Sequence, residues 1–444
     1  HGEWIETDWE TALARAADGL RGRAAQLGVL ASPSATLEEL YLAGRIARGL
    51  GSGNIDSRLR QRDFRDQDAD PLYPSLGLPI ADIDSLQGLL IVGSNLRREA
   101  PILAHRVRKA ARRGAKVALL NPAVFDYYFP VAAYLESAPA AQVADLAAVL
   151  SAAAQAASAA VPPHLSEVVG AAEVTDHHRA AAAALASGGA NARAVWLGAL
   201  ALRHPRFADL RALAAALAQV TGASLGVLAE GANAAGAHLA GAVPHREAGG
   251  KPAGAAGLTA ADMLARPLGS YFLVGGVEPW IDAPASGAER ALEQAELVVA
   301  VTPFDSETLR KVAHVLLPAG TFAESSGTYV NLEGVWQVQT GAASPVGESR
   351  PGWKILRVLG NLLGLAGFEY QSSEEVRAEL AMLIGAPTAH AAPAYAGRHA
   401  VAREAAAGTA LHVVDVPMYQ IDALVRRAPS LQRTREGRTP AVTY

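Results

Sequence analysis

Short apolar runs separated by helix-like stretches are the feature of this sequence that most limits its possible folds. The runs with the character of buried strands are 27–31, 89–92, 116–120, 194–198, 225–228, 271–274, 297–301 and 314–317. Helical patterns lie between most of them, and strands connected by helices form parallel sheets in βαβ units. The sequence therefore predicts an α/β protein.

The helices are predicted from their end signals and apolar spacing. Thr7 and Glu10 have the spacing of a capping box, and so do Thr36 and Glu39, which predicts a helix after each pair. A helix is also predicted at 101–113, with Pro near its start and Gly after its end. Further helical stretches are predicted at 138–192, which is Ala-rich, and at 207–220, 306–312, 353–365 and 419–427. Residues 387–396 have the composition of a linker.

Composition excludes several classes of site within these 444 residues. The chain has no cysteine, so no thiolate can ligate zinc or an ordinary iron–sulfur cluster, or act as a nucleophile. The net charge of −4, from 39 basic and 43 acidic residues, gives no indication of nucleic-acid binding. Because no apolar run reaches the roughly 18 residues that span a bilayer, we predict no membrane insertion.

Three motifs could carry chemistry, and each has a plainer explanation. The segment GANAAG at 231–236 could cradle phosphate, but it lacks the spacing of G-x-G-x-x-G and the Lys-Ser/Thr pair of a P-loop. The helix after Pro101 carries a run of cations that could bind phosphate or an acidic partner, although a solvated helix face is the simpler interpretation. His177 and His178 could bind a metal, but adjacent helical residues do not face each other, which favours a surface pair.

Segments from near the start to near the end of the chain resemble the molybdopterin oxidoreductase superfamily. GSN at 93–95, LLNP at 119–122 and VLLPAGTFAESSGTYVNLEGVWQ at 315–337 resemble its pterin-side segments. Within the superfamily, three segments resemble the G-subunit family of bacterial NADH–quinone oxidoreductases (respiratory complex I). They are SATLEELYLAGRIARGLGSGNIDSRLRQRDF at 34–64, GANAAG at 231–236 and PMYQIDALVRRAPSLQRT at 417–434.

The resemblance implies a pterin cleft that has lost part of its chemistry. Candidate pterin-binding positions are Gly93, Ser94, Asn95, Gly327, Thr328, Asn331, Glu333 and Gly334. The Arg that the superfamily has after Glu-Gly is Val335 here, so a cation suited to dinucleotide phosphate is missing. A Cys or selenocysteine metal ligand is impossible in these residues, whereas a Ser or Asp ligand stays open. We expect a vestigial cleft, with no catalytic residue, metal or cofactor in this part of the protein.

The resemblance also implies the domain organisation. Two nested doubly wound parallel-sheet domains are expected, one from 1–50 with 229–341 and an inserted one from 51–228, followed by a helical region and C-terminal tail at 342–444. An iron–sulfur region is expected before these residues and a β-barrel near or beyond Tyr444.

The expected function is that of a scaffold in the peripheral arm of complex I. The chain would support electron transfer from NADH to quinone, coupled to proton translocation, at the cytoplasmic face of the bacterial inner membrane. Its partners would be the other peripheral-arm subunits. The alternative is a fragment of a catalytic molybdopterin enzyme of formate-dehydrogenase type. Val335, the absent cysteine and the subunit-like tail favour the scaffold.

Overall fold

The computed structural model of the chain describes residues 3–283, 287–385, 395–402, 413, 418–435 and 437–438. In these ranges the strands are β1 (Leu27–Ala31), β2 (Ile55–Asp56), β3 (Gly88–Val92), β4 (Lys116–Asn121), β5 (Ala133–Glu136), β6 (Arg193–Leu197), β7 (Ser224–Val227), β8 (Ser270–Val274), β9 (Leu297–Thr302), β10 (Val315–Pro318), β11 (Gly327–Val330) and β12 (Trp336–Gln339). The α-helices are α1 (Trp9–Leu20), α2 (Leu37–Gly49), α3 (Leu96–Glu99), α4 (Pro101–Arg112), α5 (Gln142–Ala157), α6 (Ser166–Gly170), α7 (Asp176–Leu185), α8 (Ala199–Leu202), α9 (Phe207–Thr221), α10 (Ala234–Leu239), α11 (Ala260–Ala265), α12 (Pro279–Asp282), α13 (Ala288–Glu293), α14 (Glu307–Val312), α15 (Gly352–Leu362), α16 (Ser373–Ile384), α17 (Met418–Ile421) and α18 (Pro429–Gln432).

Packing divides the chain into two compact units. Unit 1 comprises His1–Arg60 and Gly231–Thr388, and unit 2 comprises Gln61–Glu230 and Ala389–Tyr444. The boundaries that the resemblance implies, at 50, 229 and 341, differ from this division at the first and last positions, whereas 229 lies within two residues of Gly231. Residues just after position 50 stay with unit 1 because β2 pairs with β1, and α15 and α16 stay with it because both pack against α2.

Unit 1 is built on a five-stranded parallel sheet in the order β10-β9-β8-β1-β2. The chain adds β2 on one side of β1 and later adds β8, β9 and β10 on the other side. Leu30, Tyr271 and Val298, all at most 1% exposed, lie in the core that joins this sheet to its helices. A short antiparallel hairpin, β11 with β12, belongs to the same unit.

Unit 2 is built on a second five-stranded parallel sheet, in the order β5-β4-β3-β6-β7. The chain runs outward from β3 through β4 to β5, then returns to the other side of β3 for β6 and β7. The Ala-rich stretch predicted to be helical contains α5, α6 and α7, whose small side chains share a core with Phe207 and Leu213 of α9. Two parallel sheets with helical connections confirm the predicted α/β fold.

The start of α1 differs from its predicted cap. Asp8, not Thr7, is the N-cap residue, and its carboxylate accepts a hydrogen bond from the backbone N–H of Thr11. At α2 the predicted capping box of Thr36 and Glu39 is present. Asp at the N-cap also carries a negative charge beside the positive helix end, which makes it the better of the two neighbouring caps.

The predicted helix at 419–427 is wrong as a single element. The structure has α17, then a 3₁₀ turn at Val425–Arg427 and then α18. Asp422 causes the interruption, because its Oδ1 accepts hydrogen bonds from the N–H groups of Leu424 and Val425. An Asp side chain that binds nearby backbone in this way competes with helix hydrogen bonds. Within the described ranges, no helix has the length and hydropathy needed to cross a membrane.

Candidate functional site

The hairpin of unit 1 contains five of the candidate positions, and three of them shape its turn and its open end. Asn331 accepts hydrogen bonds at Oδ1 from the backbone N–H groups of Glu333 and Val335, at 2.9 and 3.0 Å. Gly334 has a φ of 81°, a left-handed conformation that glycine adopts without strain. Gly327 pairs with Gln339 at the open end of the hairpin. The turn is therefore held by its own side chains.

The outer edge of β11 is closed by side chains where another strand would normally pair. The backbone N–H of Thr328 donates to Glu38 Oε2 at 2.8 Å, and its hydroxyl donates to Glu38 Oε1 at 2.7 Å. Asn233 Nδ2 donates to the carbonyl of Thr328 at 3.1 Å, and Asn233 Oδ1 accepts from the N–H of Val330 at 2.8 Å. The amide of Asn233 thus replaces a peptide group of a neighbouring strand. Burial raises the pKa of Glu38, and its hydrogen bonds to Thr328 oppose that shift.

Asn233 lies in the GANAAG segment, and this contact gives that segment a structural role. Its Nδ2 also donates to the carbonyl of Ala35 at 2.8 Å, and its backbone N–H donates to the carbonyl of Pro33 at 2.8 Å. Gly231 has a φ of 95°, and a Cβ there would lie 2.7 Å from the carbonyl oxygen of Pro33. The glycine serves close packing against the chain itself, so the weak phosphate hypothesis gains no support.

The other three candidate positions lie in unit 2, where β3 ends at the carboxyl edge of its sheet. The chain reverses its direction of winding between β3 and β6, and open α/β sheets bind ligands outside the carboxyl ends of strands at such a point. At two glycines of this edge, the backbone packs closely against neighbouring parts of the chain. A Cβ on Gly93 would lie 2.4 Å from the backbone nitrogen of Ala201, and one on Gly198 would lie 2.3 Å from Ser94 Cβ.

A buried hydrogen-bond network occupies the same edge. Ser94 is fully buried; its N–H donates to Asn121 Oδ1 at 2.7 Å and its hydroxyl donates to Glu99 Oε2 at 2.5 Å. The other carboxyl oxygen of Glu99 accepts from the N–H of Ala199 at 2.7 Å. Burial raises the pKa of Glu99 to about 8, so this group is mostly a neutral acid at pH 7. Asn95 is half-buried, and its side chain forms no hydrogen bond within the described residues.

These contacts decide how well the candidate side chains suit a large anionic ligand. Ser94, Thr328 and Asn331 already bond to neighbouring groups, and Glu333 adds negative charge. Val335, 37% exposed, stands at the position where the resemblance implies an Arg. These side chains do not fit a pterin dinucleotide, which requires many free donors and cations. In the described part of the chain, no cluster of three His, Asp or Glu residues could hold a metal.

His178 is not the surface residue that the sequence suggested. It is 6% exposed, its Nδ1 accepts from the N–H of Thr175 at 3.1 Å, and its Nε2 lies 3.3 Å from Asp145 Oδ1. His177 is exposed. The two histidines therefore have separate environments, and His178 ties α7 to α5.

The comparisons with known proteins assign the chain to a family. Residues 1–362 match the molybdopterin oxidoreductase family. The chain is a molybdopterin oxidoreductase family member. Over 365 residues it is 27% identical to the NADH-quinone oxidoreductase G subunit of Mycobacterium bovis, a match that covers 75% of this chain and 41% of that protein.

Two other groups of relatives match at similar identity. F420-dependent formate dehydrogenase 1 subunit alpha of Methanococcus maripaludis is 25% identical over 89% of this chain and 65% of its own length. NADPH-Fe(3+) oxidoreductase subunit alpha of Geobacter sulfurreducens is 28% identical over 81% of this chain and 48% of its own length. The chain thus spans less than two thirds of each of these relatives.

Solved structures show the same fold. Acetylene hydratase from Pelobacter acetylenicus superposes with a TM-score of 0.58 at 16% identity, over 85% of this chain and 62% of that one. A chain of the formyltransferase/hydrolase complex from Methylorubrum extorquens gives a TM-score of 0.56 at 14% identity, over 82% and 98%. At these identities the likeness concerns the fold alone.

The residues that organise the candidate site were only partly visible in the sequence. The resemblance marks the glycines and the Ser-Asn and Asn-Leu-Glu-Gly motifs, but the predicted site does not include Glu38, Glu99 or Asn121. Asn121 stands in the quoted LLNP motif directly after a predicted strand, and that position was an available signal for a residue at the carboxyl edge. Glu38 gave no signal, because its partner Thr328 is 290 residues away.

Proposed function

We propose that this chain is a structural part of a G-type subunit in the peripheral arm of an NADH–quinone oxidoreductase. Its role is to support neighbouring subunits while electrons pass from NADH to quinone through other parts of the assembly, at the cytoplasmic face of the bacterial inner membrane. Its pterin-binding positions are vestigial, and it has no catalytic centre or resident cofactor of its own. Its partners are the other peripheral-arm subunits.

The observation that carries this proposal is the internal use of the candidate binding groups. In the hairpin, Glu38 and Asn233 close the outer edge of β11, and in unit 2 Ser94 bonds to Glu99. These bonds pair the polar groups of each site with other groups of the same chain, as is expected of a structural scaffold. Val335 in place of a cation and the absence of cysteine point the same way.

A second candidate is a catalytic molybdopterin enzyme of formate-dehydrogenase type. The match to the formate dehydrogenase alpha subunit of Methanococcus maripaludis covers 65% of that protein, a larger share than the 41% covered in the G-subunit relative from Mycobacterium bovis. Asn95, whose side chain has no hydrogen bond among the described residues, is the one candidate group still available to a ligand.

Purification of the tagged protein from its native host separates the two candidates. The scaffold proposal predicts that the protein copurifies with NADH:quinone oxidoreductase activity and that deletion of its gene abolishes that activity. Formate oxidation by the purified material, with NADH:quinone activity absent from it, would overturn the proposal in favour of the second candidate.

A further inference from the structure

Helix α4 of unit 2 has an outer face that is rich in cations. Leu103, Ala104, Val107, Ala110 and Ala111 are buried on its inner side. The exposed side carries His105, Arg108, Lys109 and Arg112, followed by Arg113, and we call these five residues the basic face. Spacings of i, i+3, i+4 and i+7 place its first four members side by side. Over 12 residues the helix is about 18 Å long.

The basic face is only partly neutralised by the fold. Asp84 pairs with Lys109 and with Arg106, the latter at 3.2 Å. For Arg108, Arg112 and Arg113, no carboxylate of the described residues lies within ion-pair distance. Arg108 and Arg112 are four residues apart on one helix, a placement in which like charges repel each other. The face therefore carries positive charge that no carboxylate of the described residues compensates.

The helix dipole explains part of this pattern. Lys109 and Arg112 lie in the last turn, where cations interact favourably with the helix end. The dipole does not explain Ile102, in the first turn, which is 71% exposed. The helical spacing places Ile102 in line with three members of the basic face, His105, Lys109 and Arg112. An exposed apolar side chain therefore lies at the end of the basic face. The cores of protein interfaces are more apolar than the rest of a surface and are enriched in Arg, which fits this combination.

We propose that the basic face, with Ile102 at its end, docks an acidic surface of another protein. That partner presents Asp or Glu side chains to Arg108 and Arg112 and a small apolar recess to Ile102. Nucleic acid fits less well, because the chain has a net charge of −4 and Asp84 lies beside the cations. A lipid surface fits less well because interfacial helices bury a broad apolar face, and Ile102 is the only large exposed apolar residue in the described helix α4. The proposal does not depend on the proposed function.

Site-specific photocrosslinking in the native host tests this proposal. Replacing Ile102 with p-benzoylphenylalanine leaves every cation of the basic face in place. The probe cross-links whatever molecule lies next to position 102. We expect cross-links to one protein, at a segment rich in Asp and Glu. When Arg108→Glu and Arg112→Glu are added, the cross-link yield should fall by about tenfold. In the protein that keeps both arginines, high salt should also lower the cross-link yield.

The matched control is Arg290→Glu/Lys311→Glu, which makes the same change in charge at two exposed cations without ion pairs among the described residues. It should leave the cross-link yield unchanged. Thermal denaturation checks that each variant folds, and Arg108→Gln/Arg112→Gln replaces the reversal if it does not. Absence of a cross-link, a cross-link to nucleic acid or lipid, or equal yields in the reversed and control backgrounds would overturn the proposal.

Discussion

Asn233→Ala tests whether the hairpin is held by the protein's own side chains. The substitution removes three hydrogen bonds, to the carbonyls of Ala35 and Thr328 and from the N–H of Val330, at 2.8, 3.1 and 2.8 Å. Asn233 is fully buried, so the backbone groups lose partners that water does not replace. Each buried group left unpaired costs about 1–3 kcal/mol, so we expect the free energy of unfolding to fall by about 4 kcal/mol.

Hydrogen exchange at the Val330 amide is the most direct assay. Because about 1.4 kcal/mol corresponds to a factor of ten, exchange should become roughly a thousandfold faster in Asn233→Ala. Asn331→Ala is the control, since it is the same substitution in the same hairpin but at a half-buried side chain that bonds only within the turn. Asn331→Ala should lower the free energy of unfolding by about 1–2 kcal/mol. If Asn233→Ala lowers the free energy of unfolding no more than Asn331→Ala does, then the side-chain amide of Asn233 does not take the place of a neighbouring strand.

Three further substitutions test other parts of the site. Burial raises the pKa of Glu99 from its ordinary value of 4.5 to about 8, so the stability that it contributes is fully present below pH 4.5, falls as the pH rises from there, and is lost by about pH 8. Between pH 5.5 and 7.5 the parent should therefore lose about 3 kcal/mol relative to Glu99→Gln in denaturant unfolding, and parallel pH profiles would contradict the shift. Gly198→Ala places a methyl group against Ser94 and should destabilise the protein by about 1–3 kcal/mol, whereas Gly189→Ala, which meets nothing within 4 Å, should change the melting temperature little. Val335→Arg restores one cation, worth about 1.5–3 kcal/mol, and should not create pterin binding; pterin fluorescence in the purified variant and not in the parent would show otherwise.

The sheets could be predicted from the sequence because their central strands are buried on both faces. Such strands are continuous apolar runs, so the predicted limits of 27–31 agree with β1. β2 and β5 were missed. β2 is only two residues long and ends in Asp56, and β5 pairs through a backbone whose side chains are mixed in polarity. Pairing with a neighbouring strand, not local sequence preference, makes these two segments extended.

Only the parts of the site that are formed by residues close together in the sequence could be predicted from short motifs. The turn of the hairpin is local, and residues 331–335 determine it together. The pairings of Glu38 with Thr328 and of Asn233 with Val330 join positions far apart in the chain, and no periodicity marks them. His178 was misjudged for the same reason, since its partner Asp145 lies 33 residues away. Asp422 was a local signal that the apolar spacing of the tail concealed.

Molybdenum, tungsten and pterin content, measured per chain in the protein purified from its native host, tests the central claim most directly. Elemental analysis by mass spectrometry gives the metals, and fluorescence of the oxidised pterin gives the cofactor. Because Ser94, Thr328 and Asn331 are committed to internal hydrogen bonds and Val335 replaces a cation, we predict no stoichiometric metal or pterin. One molybdenum or tungsten per chain, with a matching amount of pterin, would contradict the claim that these positions are vestigial.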